Sequence, residues 1–541
     1  MNHKCQTIKG CILAIVVMIG GLMFGTQCVH ASVADTVAAQ SYSRTVEVSQ
    51  AYIKKYGFTN AFYRTIEQAN TMSPLENAQE PVKVTMPAGV YEISNPIQIN
   101  YSNLTVDFTG CTFVQKKDNV GNLLRIGESN NKRTGYYYHD ITIIGGTFDG
   151  NGSRSTIFKT AHSRNITVVG TTFKNVTNGH LTEAAGVDGL TISGCTFQDQ
   201  LLATSGATLT YEAIQLDILT SEHFSGYLAE TLATKNVLVE KCLFDNVPRG
   251  VGSHTAILNC PLDGITVKNN TFKNIGSIAV QGHNWINVEI CDNDIADCPR
   301  GIALYTMQST GTYLPSDIAA EDNVPTTLSD SYSKPDADQN ILISDNQIVC
   351  GGKDQFASYA PVAIYVGGLK LTKNTKMTKG SIVPKGDYYI SGVTIKNNDV
   401  QSVGNGIRLE DVRKVTITSN KFKFVGKAKG DAYHGIQLRL ESQADQIKNN
   451  TISGYNANGI YLNTNSKAGT ISGNKVSNVG KYGIGIEQSK VTAIKGNTIK
   501  KAKNWGIAVV IRANVSKISG NKISGCLEKV HITKDSKAKS V

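Results

Sequence analysis

The chain lacks the patterns that mark several common protein classes. After one apolar run at residues 12–24, it contains no second stretch long enough to span a bilayer. The 3.6-residue apolar period of helical repeats is missing from most of its length. No phosphate-binding loop, nucleotide fingerprint or nucleic-acid-binding motif stands out. We therefore expect neither a nucleic-acid partner nor a membrane span in the mature protein.

One asparagine position recurs through the second half of the chain. Several of its intervals are 22 to 24 residues, as between Asn450 and Asn474. Its members are Asn270, Asn293, Asn346, Asn398, Asn420, Asn450, Asn474, Asn497 and Asn521. A period of this length is typical of a solenoid. If successive coils stack, each amide can bond to the coil above and to the coil below, because it has both donors and an acceptor.

The residues around this position alternate between apolar and polar. Segments such as VTIKNNDV and TISGNKVS show the alternation over five or six positions, which predicts short strands with one buried face. Upstream, the same position holds other residues, each followed by a short T-F or L-F step: Cys111, Gly146, Thr171, Cys195 and Cys242. Counting this position along the chain predicts about fourteen coils. A parallel β-helix is the simplest fold that contains them.

The two ends of the chain differ from the repeats. Residues 1–31 combine two lysines, the apolar run and a small-residue cleavage pattern, so they are predicted to be the signal peptide of a secreted protein. Residues 32–80 do not repeat, and their apolar spacing predicts amphipathic helices that cap the first coil. We assign residues 81–530 to the β-helix and residues 531–541 to a basic tail that we expect to be disordered.

Two segments resemble a known superfamily. Residues 84–93, with the sequence VTMPAGVYEI, resemble the opening coil of the pectin-lyase-like superfamily. Residues 145–152, with the sequence GGTFDGNG, resemble a coil that is common in its polygalacturonase branch. The resemblance implies an all-β, single-stranded, right-handed parallel β-helix that acts on a carbohydrate polymer.

Eight cysteines follow the predicted signal peptide. Three of them, Cys111, Cys195 and Cys242, occupy the repeated position, where a small buried thiol packs well. We therefore favour packed free thiols over a disulfide framework, although an exported protein permits disulfides. Three aspartates near Cys291 are similar to a calcium site but lack the glycine pattern of a calcium loop. We expect no cofactor and no metal, with calcium as the weaker alternative.

Insertions interrupt the repeat and point to a binding groove. Two of them span residues 308–339 and 351–389, and a third excursion spans residues 204–234. Long excursions on a solenoid commonly wall a groove on one face. We place the groove over the coils from about His162 to Tyr305.

Aligning the strand after each turn predicts an outward polar row and a neighbouring row of small residues. The polar row contains Asp217, His254, Gln281 and Tyr305, with Glu410 farther along. The neighbouring row contains Gln215, Gly252, Ala279, Ala303 and Ala363. Successive coils lie about 4.8 Å apart. The first row would therefore form a polar stripe, and the second would form a shallow groove floor.

Three carboxylates near this stripe favour glycoside hydrolysis. The reaction requires two carboxyl groups that flank the scissile bond. The predicted catalytic residues are Asp217, Glu183, Glu212, His254 and His283. The predicted substrate-binding residues are His162, His180, Arg249, Gln281, Tyr305 and Arg408. The double aspartate and the Arg-x-Lys pair of polygalacturonases have no match on the corresponding coils, so polygalacturonase activity itself is not predicted.

Two other functions fit the same residues. A polysaccharide lyase acting on a uronic-acid polymer would use His254 or His283 as the base, Arg249 to neutralise the carboxylate and Tyr305 as the proton donor. A non-catalytic cell-surface protein would bind a glycan without cleaving it. In each case the predicted partner is a polysaccharide or oligosaccharide. The net charge of +11 agrees with an acidic glycan or with electrostatic retention at a cell wall, and equally with a solvated solenoid surface.

Overall fold

A computed structural model describes residues 32–117, 121–128, 133–201, 211–220, 224, 226–230, 232–253, 255–258, 260–307, 312–313, 338–352, 361–376, 382–383, 385–427 and 430–540. Most strands belong to one 44-stranded sheet, and nearly all neighbouring strands in it are parallel. The alternation of apolar and polar residues places one side of each strand in a continuous interior. The fold is a parallel β-helix, as predicted.

Each coil contributes a strand to each of three faces, which we call sheets 1, 2 and 3 in the order that the chain visits them. Sheet 1 consists of Arg44–Glu47, Val82–Thr85, Leu104–Asp107, Tyr138–Ile144, Phe158–Val169, Thr182–Ser193, Lys235–Glu240, Leu262–Lys268, Trp285–Cys291, Ile341–Ser344, Ile390–Lys396, Val412–Thr418, Gln443–Lys448, Lys467–Ser472, Lys490–Lys495, Asn514–Ser519 and Lys537–Ser540. Sheet 2 consists of Gly89–Ile93, Cys111–Gln115, Thr147–Ser153, Thr172–Thr177, Thr196–Leu201, Leu243–Gly252, Thr271–His283, Asp294–Cys298, Gln347–Cys350, Asp399–Ser402, Lys421–Phe424, Thr451–Ser453, Lys475–Val479, Thr498–Ala502 and Lys522–Ser524.

Sheet 3 shares four long strands with the other two faces. Phe158–Val169 and Thr182–Ser193 continue from sheet 3 into sheet 1, whereas Leu243–Gly252 and Thr271–His283 continue from sheet 2 into sheet 3. The other strands of sheet 3 are Ile97–Ile99, Leu124–Ile126, Glu212–Leu219, Arg300–Tyr305, Val362–Gly367, Asn405–Glu410, Ile436–Arg439, Ile460–Leu462, Ile484–Glu487, Trp505–Val510 and Glu528–Ile532.

Short strands outside the three faces lie in the excursions. Leu232–Ala233 runs antiparallel to the end of Glu212–Leu219. The remaining pairs are Ala256–Ile257 with Thr312–Tyr313, Leu369–Leu371 with Gly386–Tyr388, and Thr375–Lys376 with Ile382–Val383.

The recurrent asparagines form a continuous hydrogen-bonded ladder at the turn between sheet 1 and sheet 2. The Asn474 side-chain amide donates to Asn497 Oδ1 and to the Ile447 carbonyl, each at 2.9 Å. Its own Oδ1 accepts from the backbone N–H and the side-chain amide of Asn450, each at 3.0 Å. The same pattern runs from Asn270 to Asn521. The predicted ladder is therefore confirmed, and its register is the same in every coil of this stretch.

Upstream of Asn270 the ladder continues with other side chains. The Cys242 backbone N–H donates to Asn270 Oδ1 at 2.9 Å, so this cysteine occupies the predicted ladder position. A row of stacked rings, with centroids 4.5 to 5.6 Å apart, fills the core beside it: Phe113, Phe148, Phe173, Phe197, Phe244 and Phe272. Cys111, Cys195 and Cys242 are buried free thiols, which agrees with the packing role predicted for these three.

Helices cover the open end of the first coil. They are α1 (Val33–Ala38), α2 (Gln50–Tyr56), α3 (Phe58–Met72) and a 3₁₀ turn at Leu75–Asn77. The ring centroids of Phe58 in α3 and Phe113 in the first coils lie 4.9 Å apart. The helices therefore cover the core where the first strands have no neighbouring coil, and the predicted N-terminal helical cap is confirmed.

The C-terminal boundary differs from the prediction. Lys537–Ser540 pairs in parallel with Asn514–Ser519, so ordered strands continue beyond residue 530 into the segment expected to be a disordered tail. Alternating lysines do not prevent pairing, because they point to solvent while Ala538 packs against the core. The predicted signal peptide lies outside the described residues. Among those that are described, no helix has the length and apolar character needed to cross a membrane.

Replacing Asn474 with alanine tests the ladder. The change leaves the buried N–H and amide of Asn450 without their acceptor, so we expect the free energy of unfolding to fall by roughly 3 kcal/mol or more. Urea denaturation measures the change. Asn514 is exposed and outside the ladder, and Asn514→Ala should cost well under about 1 kcal/mol. Equal effects of the two substitutions would contradict the stabilising role of the ladder.

Candidate functional site

Sheet 3 carries the polar side chains that interrupt the apolar repeat. One row along it contains Glu183, Gln215, Gly252, Gln281, Ala303, Tyr365 and Arg408. Gln281 belongs to this row, and the prediction that it shares a row with Tyr305 is wrong by two residues. The strand partner of Tyr305 is His283. Thr271–His283 has one more residue between Ile275 and Ile278 than its neighbour has between Val247 and Arg249. This register shift contributes to the difference, because sequence alignment does not show it.

The predicted floor of small residues is corrected as well. Ala279 is part of the hydrophobic core. Ala303 pairs with Tyr365 and not with Ala363. Because Gln281 and Tyr365 stand in this row, the row is not a shallow floor.

Two of the carboxylates predicted as catalytic are buried in ion pairs. Glu183 Oε2 lies 3.2 Å from Lys159 Nζ, and both side chains are about nine-tenths buried. Glu212 Oε1 accepts a hydrogen bond from Arg249 Nη1 at 3.0 Å, and the glutamate has no exposed surface. Paired and covered in this way, these groups stabilise the packing of neighbouring coils.

Asp217 lies in Glu212–Leu219, a strand that is buried on both faces. Its Oδ2 accepts from Gln215 Nε2 at 2.9 Å, and its Oδ1 accepts from the Ile218 N–H at 2.8 Å. Both carboxylate oxygens therefore have protein donors. The predicted groove is closed at this strand, since a polymer cannot reach a strand that is covered on both sides.

The upstream histidines bind backbone carbonyls. His162 places Nδ1 2.9 Å from the Gly135 carbonyl and Nε2 2.8 Å from the Leu228 carbonyl. His180 places Nδ1 2.9 Å from the carbonyl of Glu212. These contacts join separate segments of the chain, so both imidazoles have a structural role in the folded state.

Of the two histidines predicted to be catalytic, the structure describes His283 but not His254. His283 lies against Tyr305 in an edge-to-face arrangement with ring centroids 5.2 Å apart. Its backbone N–H donates to Ser253 Oγ at 3.0 Å. His254 lies outside the described residues.

Two cavities open on sheet 3 downstream of this buried region. They have volumes of about 500 and 220 Å³, within or just below the range of small-ligand sites. Both are lined by Tyr305, Tyr365 and Glu410, and the larger also by Asp411. We call this region the cleft. Its other lining residues include Met307, Leu369, Lys370, Glu441 and Thr464 on the larger side, and Arg300, Asn405 and Arg408 on the smaller side.

Glu410 is held by three neighbours at the centre of the cleft. Its Oε2 accepts from the Tyr365 hydroxyl at 2.8 Å. Its Oε1 lies 2.9 Å from Arg408 Nε and 3.3 Å from Arg439 Nε. The two guanidinium groups balance the carboxylate charge and fix its orientation.

Asp411 follows directly and has a different environment. It is buried, yet it lines the larger cavity. Burial, assisted by the neighbouring Asp387, raises the pKa of Asp411 to about 7. Arg413 pairs with Asp387 and lies 3.6 Å from Asp411, so its charge offsets only part of this effect. Two adjacent residues thus present one charge-balanced carboxylate and one carboxyl whose pKa is raised to about 7.

A hairpin walls the larger cavity. Leu369–Leu371 pairs with Gly386–Tyr388, within the insertion that the sequence placed at residues 351–389. Thr306 Oγ1 anchors it by donating to the Tyr388 carbonyl at 2.8 Å. Lys370 Nζ reaches Glu441 Oε2 at 2.6 Å across the cleft. The prediction that this insertion walls a groove therefore agrees with the hairpin, although the groove lies farther downstream than expected.

Sequence reasoning missed Asp411, Tyr365 and Glu441. The sequence analysis identifies Arg408 and Glu410 as polar residues but places the groove over earlier coils. The available signal was the adjacent pair Glu410-Asp411 on the first coil after the 351–389 insertion. In the part of the chain that the structure describes, no three His, Cys, Asp or Glu side chains converge as a metal site.

A family profile described as the right handed beta helix region matches residues 156–315 and 384–540, more than half of the chain. The chain belongs to the right-handed β-helix family. Its fold is the right-handed parallel β-helix that the resemblance of residues 84–93 and 145–152 implied. A comparison with curated protein sequences finds no match.

Several solved structures share this β-helix. PfbA, a surface adhesin of Streptococcus pneumoniae, is 17% identical with a TM-score of 0.50, over 86% of this chain and 93% of that chain. A hyperthermoactive exopolygalacturonase from Thermotoga maritima is 12% identical with a TM-score of 0.36, over 90% of this chain and 93% of that chain. The A-module of the Azotobacter vinelandii mannuronan C-5 epimerase AlgE6 is 11% identical with a TM-score of 0.34, over 90% of this chain and 99% of that chain. At such identities the likeness concerns the fold alone.

The raised pKa of Asp411 predicts a pH-dependent stability of this β-helix. Between the ordinary pKa of 3.8 and the folded value of about 7, the folded state binds a proton that the unfolded state has released. The contribution is full below about pH 4 and is lost as the pH rises through about 7. Asp411→Asn cannot ionise, so its melting temperature should exceed that of the parent at pH 8, and this advantage should be much smaller at pH 5 and vanish below about pH 4.

Thermal unfolding followed by circular dichroism at both pH values measures this difference. Asp445 is exposed on the next coil, and Asp445→Asn is the matched control, with no expected change in the pH profile. A parent and an Asp411→Asn variant with parallel profiles would show that Asp411 is ionised at pH 5.

Proposed function

We propose that this protein is a secreted glycoside hydrolase that cleaves a polysaccharide or oligosaccharide in the cleft. The observation that carries the proposal is the contrast between two neighbouring carboxyl groups. Glu410 is balanced by Arg408 and Arg439, whereas burial raises the pKa of Asp411 to about 7. Pairs of carboxyl groups with opposed environments are the arrangement that glycoside hydrolysis uses.

In this proposal the two carboxyl groups have separate roles. Asp411, whose pKa is raised to about 7, protonates the leaving glycosidic oxygen. Glu410 acts as the carboxylate, either by attacking the anomeric carbon or by activating a water molecule. Tyr305 and Tyr365 offer aromatic surface, with ring centroids 5.0 Å apart, beside which a sugar ring can pack.

The other residues predicted from the sequence support this reaction less well. Glu183, Glu212 and Asp217 are buried and line neither cavity, whereas Glu410, although paired with arginines, lines both. The elimination mechanism is also weakened, because its carboxylate-neutralising Arg249 is paired with Glu212 in a buried position. The cleft combines open volume, aromatic walls and a proton donor, and we therefore place the reaction there.

A second candidate is a surface protein that binds a glycan without cleaving it. PfbA, whose fold this chain shares, is a surface adhesin. The aromatic walls of the cleft and the Lys370–Glu441 pair at its side would serve binding as well as catalysis. A binder would retain a ligand after Glu410→Gln or Asp411→Asn and would show no turnover in the parent protein.

The two cleft carboxyls give the direct test of hydrolysis. The mature protein is incubated with a panel of neutral and acidic glycans, while reducing ends and absorbance near 235 nm are followed together. We expect reducing ends without absorbance, and a loss of at least about 100-fold in turnover for Glu410→Gln and for Asp411→Asn, since each removes a group needed in proton transfer or attack. Activity of the parent should decline as the pH rises above about 7, because Asp411 then loses its proton.

Asp217→Asn is the matched control, because it makes the same chemical change outside the cleft. It should keep turnover within about tenfold of the parent, provided that its melting temperature shows a folded protein. Turnover lost in Asp217→Asn but kept in Asp411→Asn would place the reaction in the upstream coils. Rising absorbance would instead identify a lyase.

A further inference from the structure

The positive charge of the chain is concentrated in its last coils. Residues 421–541 contain 21 lysines and arginines but only six aspartates and glutamates, a net charge of +15. The whole chain carries +11, so residues 1–420 carry −4. The C-terminal coils are therefore strongly cationic, whereas the rest of the protein is slightly acidic.

Part of this charge follows the asparagine corner, which is the turn between sheet 1 and sheet 2. On the sheet 1 side the aligned residues are Lys396, Thr418, Lys448, Ser472, Lys495 and Ser519. On the sheet 2 side they are Asp399, Lys421, Thr451, Lys475, Thr498 and Lys522. Lysine alternates with a hydroxyl residue on each side, except that Asp399 begins the sheet 2 set. The two sides alternate out of step, so each coil places one of these lysines at the corner.

This arrangement forms a zigzag row of cations, because successive lysines lie on alternate sides of the corner. Coils stack about 4.8 Å apart, so the corner presents one lysine per coil. Lysines on the same side are two coils apart, roughly 10 Å, which limits the repulsion that directly stacked like charges would produce. The ladder bonds of Asn450, Asn474 and Asn497 hold the backbone of the corner, so the spacing is built into the fold.

Four of these lysines are available to a partner. Lys448, Lys475, Lys495 and Lys522 are exposed. Within the described residues, none of the four has an acidic side chain within ion-pair distance. Lys421 differs, since its Nζ lies 3.3 Å from Asp399. The uncompensated charge therefore begins one coil later, at Lys448.

The chemistry around the row favours one kind of polyanion. The residues between the lysines carry hydroxyl groups, which donate and accept hydrogen bonds to sugar hydroxyls. The two aligned sets contain no aromatic ring, although proteins that hold single-stranded nucleic acid commonly stack its bases on aromatic side chains. We propose that the asparagine corner from Lys448 to Lys522 is a docking ridge for a linear anionic polysaccharide. The ridge faces away from sheet 3 and is separate from the cleft.

The test compares two variants that lose the same charge. The ridge variant is K448Q/K475Q/K495Q/K522Q. The control variant K467Q/K490Q/K503Q/K529Q neutralises four other exposed lysines of the same coils. Lys467 and Lys490 are aligned with each other at the opposite end of their sheet 1 strands, five residues or roughly 17 Å from the corner.

Binding to immobilised polygalacturonate is measured in a Glu410→Gln background, which prevents turnover, at two salt concentrations. We expect the ridge variant to bind at least about tenfold more weakly, since each basic residue that faces a polyanion contributes a few-fold in affinity. The control variant should stay within about threefold of the parent. The difference should shrink at high salt, because the interaction is between exposed charges.

Three results would contradict the proposal that this ridge binds an anionic polysaccharide. Equal losses in both variants would show that binding follows net charge and not the corner. Equal binding to neutral dextran would exclude the electrostatic origin. Tighter, ridge-dependent binding to single-stranded DNA would reassign the partner. Because the Glu410→Gln protein is used throughout, a lack of hydrolase activity in the parent would reject the proposed function and leave this test unaffected.

Discussion

The bond between one asparagine side chain and the next is the constraint on which the rest of this structure depends. Each amide is buried, and its donors and acceptor are satisfied only when the coil above and the coil below place the same residue in the same position. A slip of one residue would leave several buried polar groups unpaired. The ladder therefore determines the register of the three sheets, and through it the rows in which outward side chains stand.

The cleft lies where this regular stack is interrupted. The hairpin of Leu369–Leu371 and Gly386–Tyr388 rises beside the coil that carries Glu410 and Asp411, and Thr306 ties it to the preceding coil. Coils before it are polar too, but there the side chains pair with one another in a buried network. Glu212 and Asp411 are both buried but differ in their neighbours: Glu212 meets a guanidinium at 3.0 Å, whereas burial and the neighbouring Asp387 raise the pKa of Asp411 to about 7.

The asparagine corner also connects the fold to the charge of the chain. Since the ladder repeats once per coil, any residue next to it is displayed at the same interval, and lysines placed on alternate sides produce an evenly spaced cationic row. The cleft on sheet 3 and the ridge at the opposite corner would then divide two tasks, with reaction in one place and retention on an anionic polymer in the other. The cleft and the ridge both depend on the same repeat length, but different residues of the repeat form them.

The sequence by itself determined the parallel β-helix, the asparagine ladder, the helical cap and the insertion that walls the cleft, because each of these depends on local alternation, on period or on a break in the period. It also identified Arg408 and Glu410 as polar outward residues. Only the tertiary structure decided that His283, and not Gln281, stands in the row of Tyr305, since a register shift in their strand is invisible in one sequence. Only the tertiary structure buried Glu183, Glu212 and Asp217 and left Asp411 at a cavity. Burial and pKa depend on segments that are distant in the chain, and the spacing of residues along one strand carries no information about what covers it.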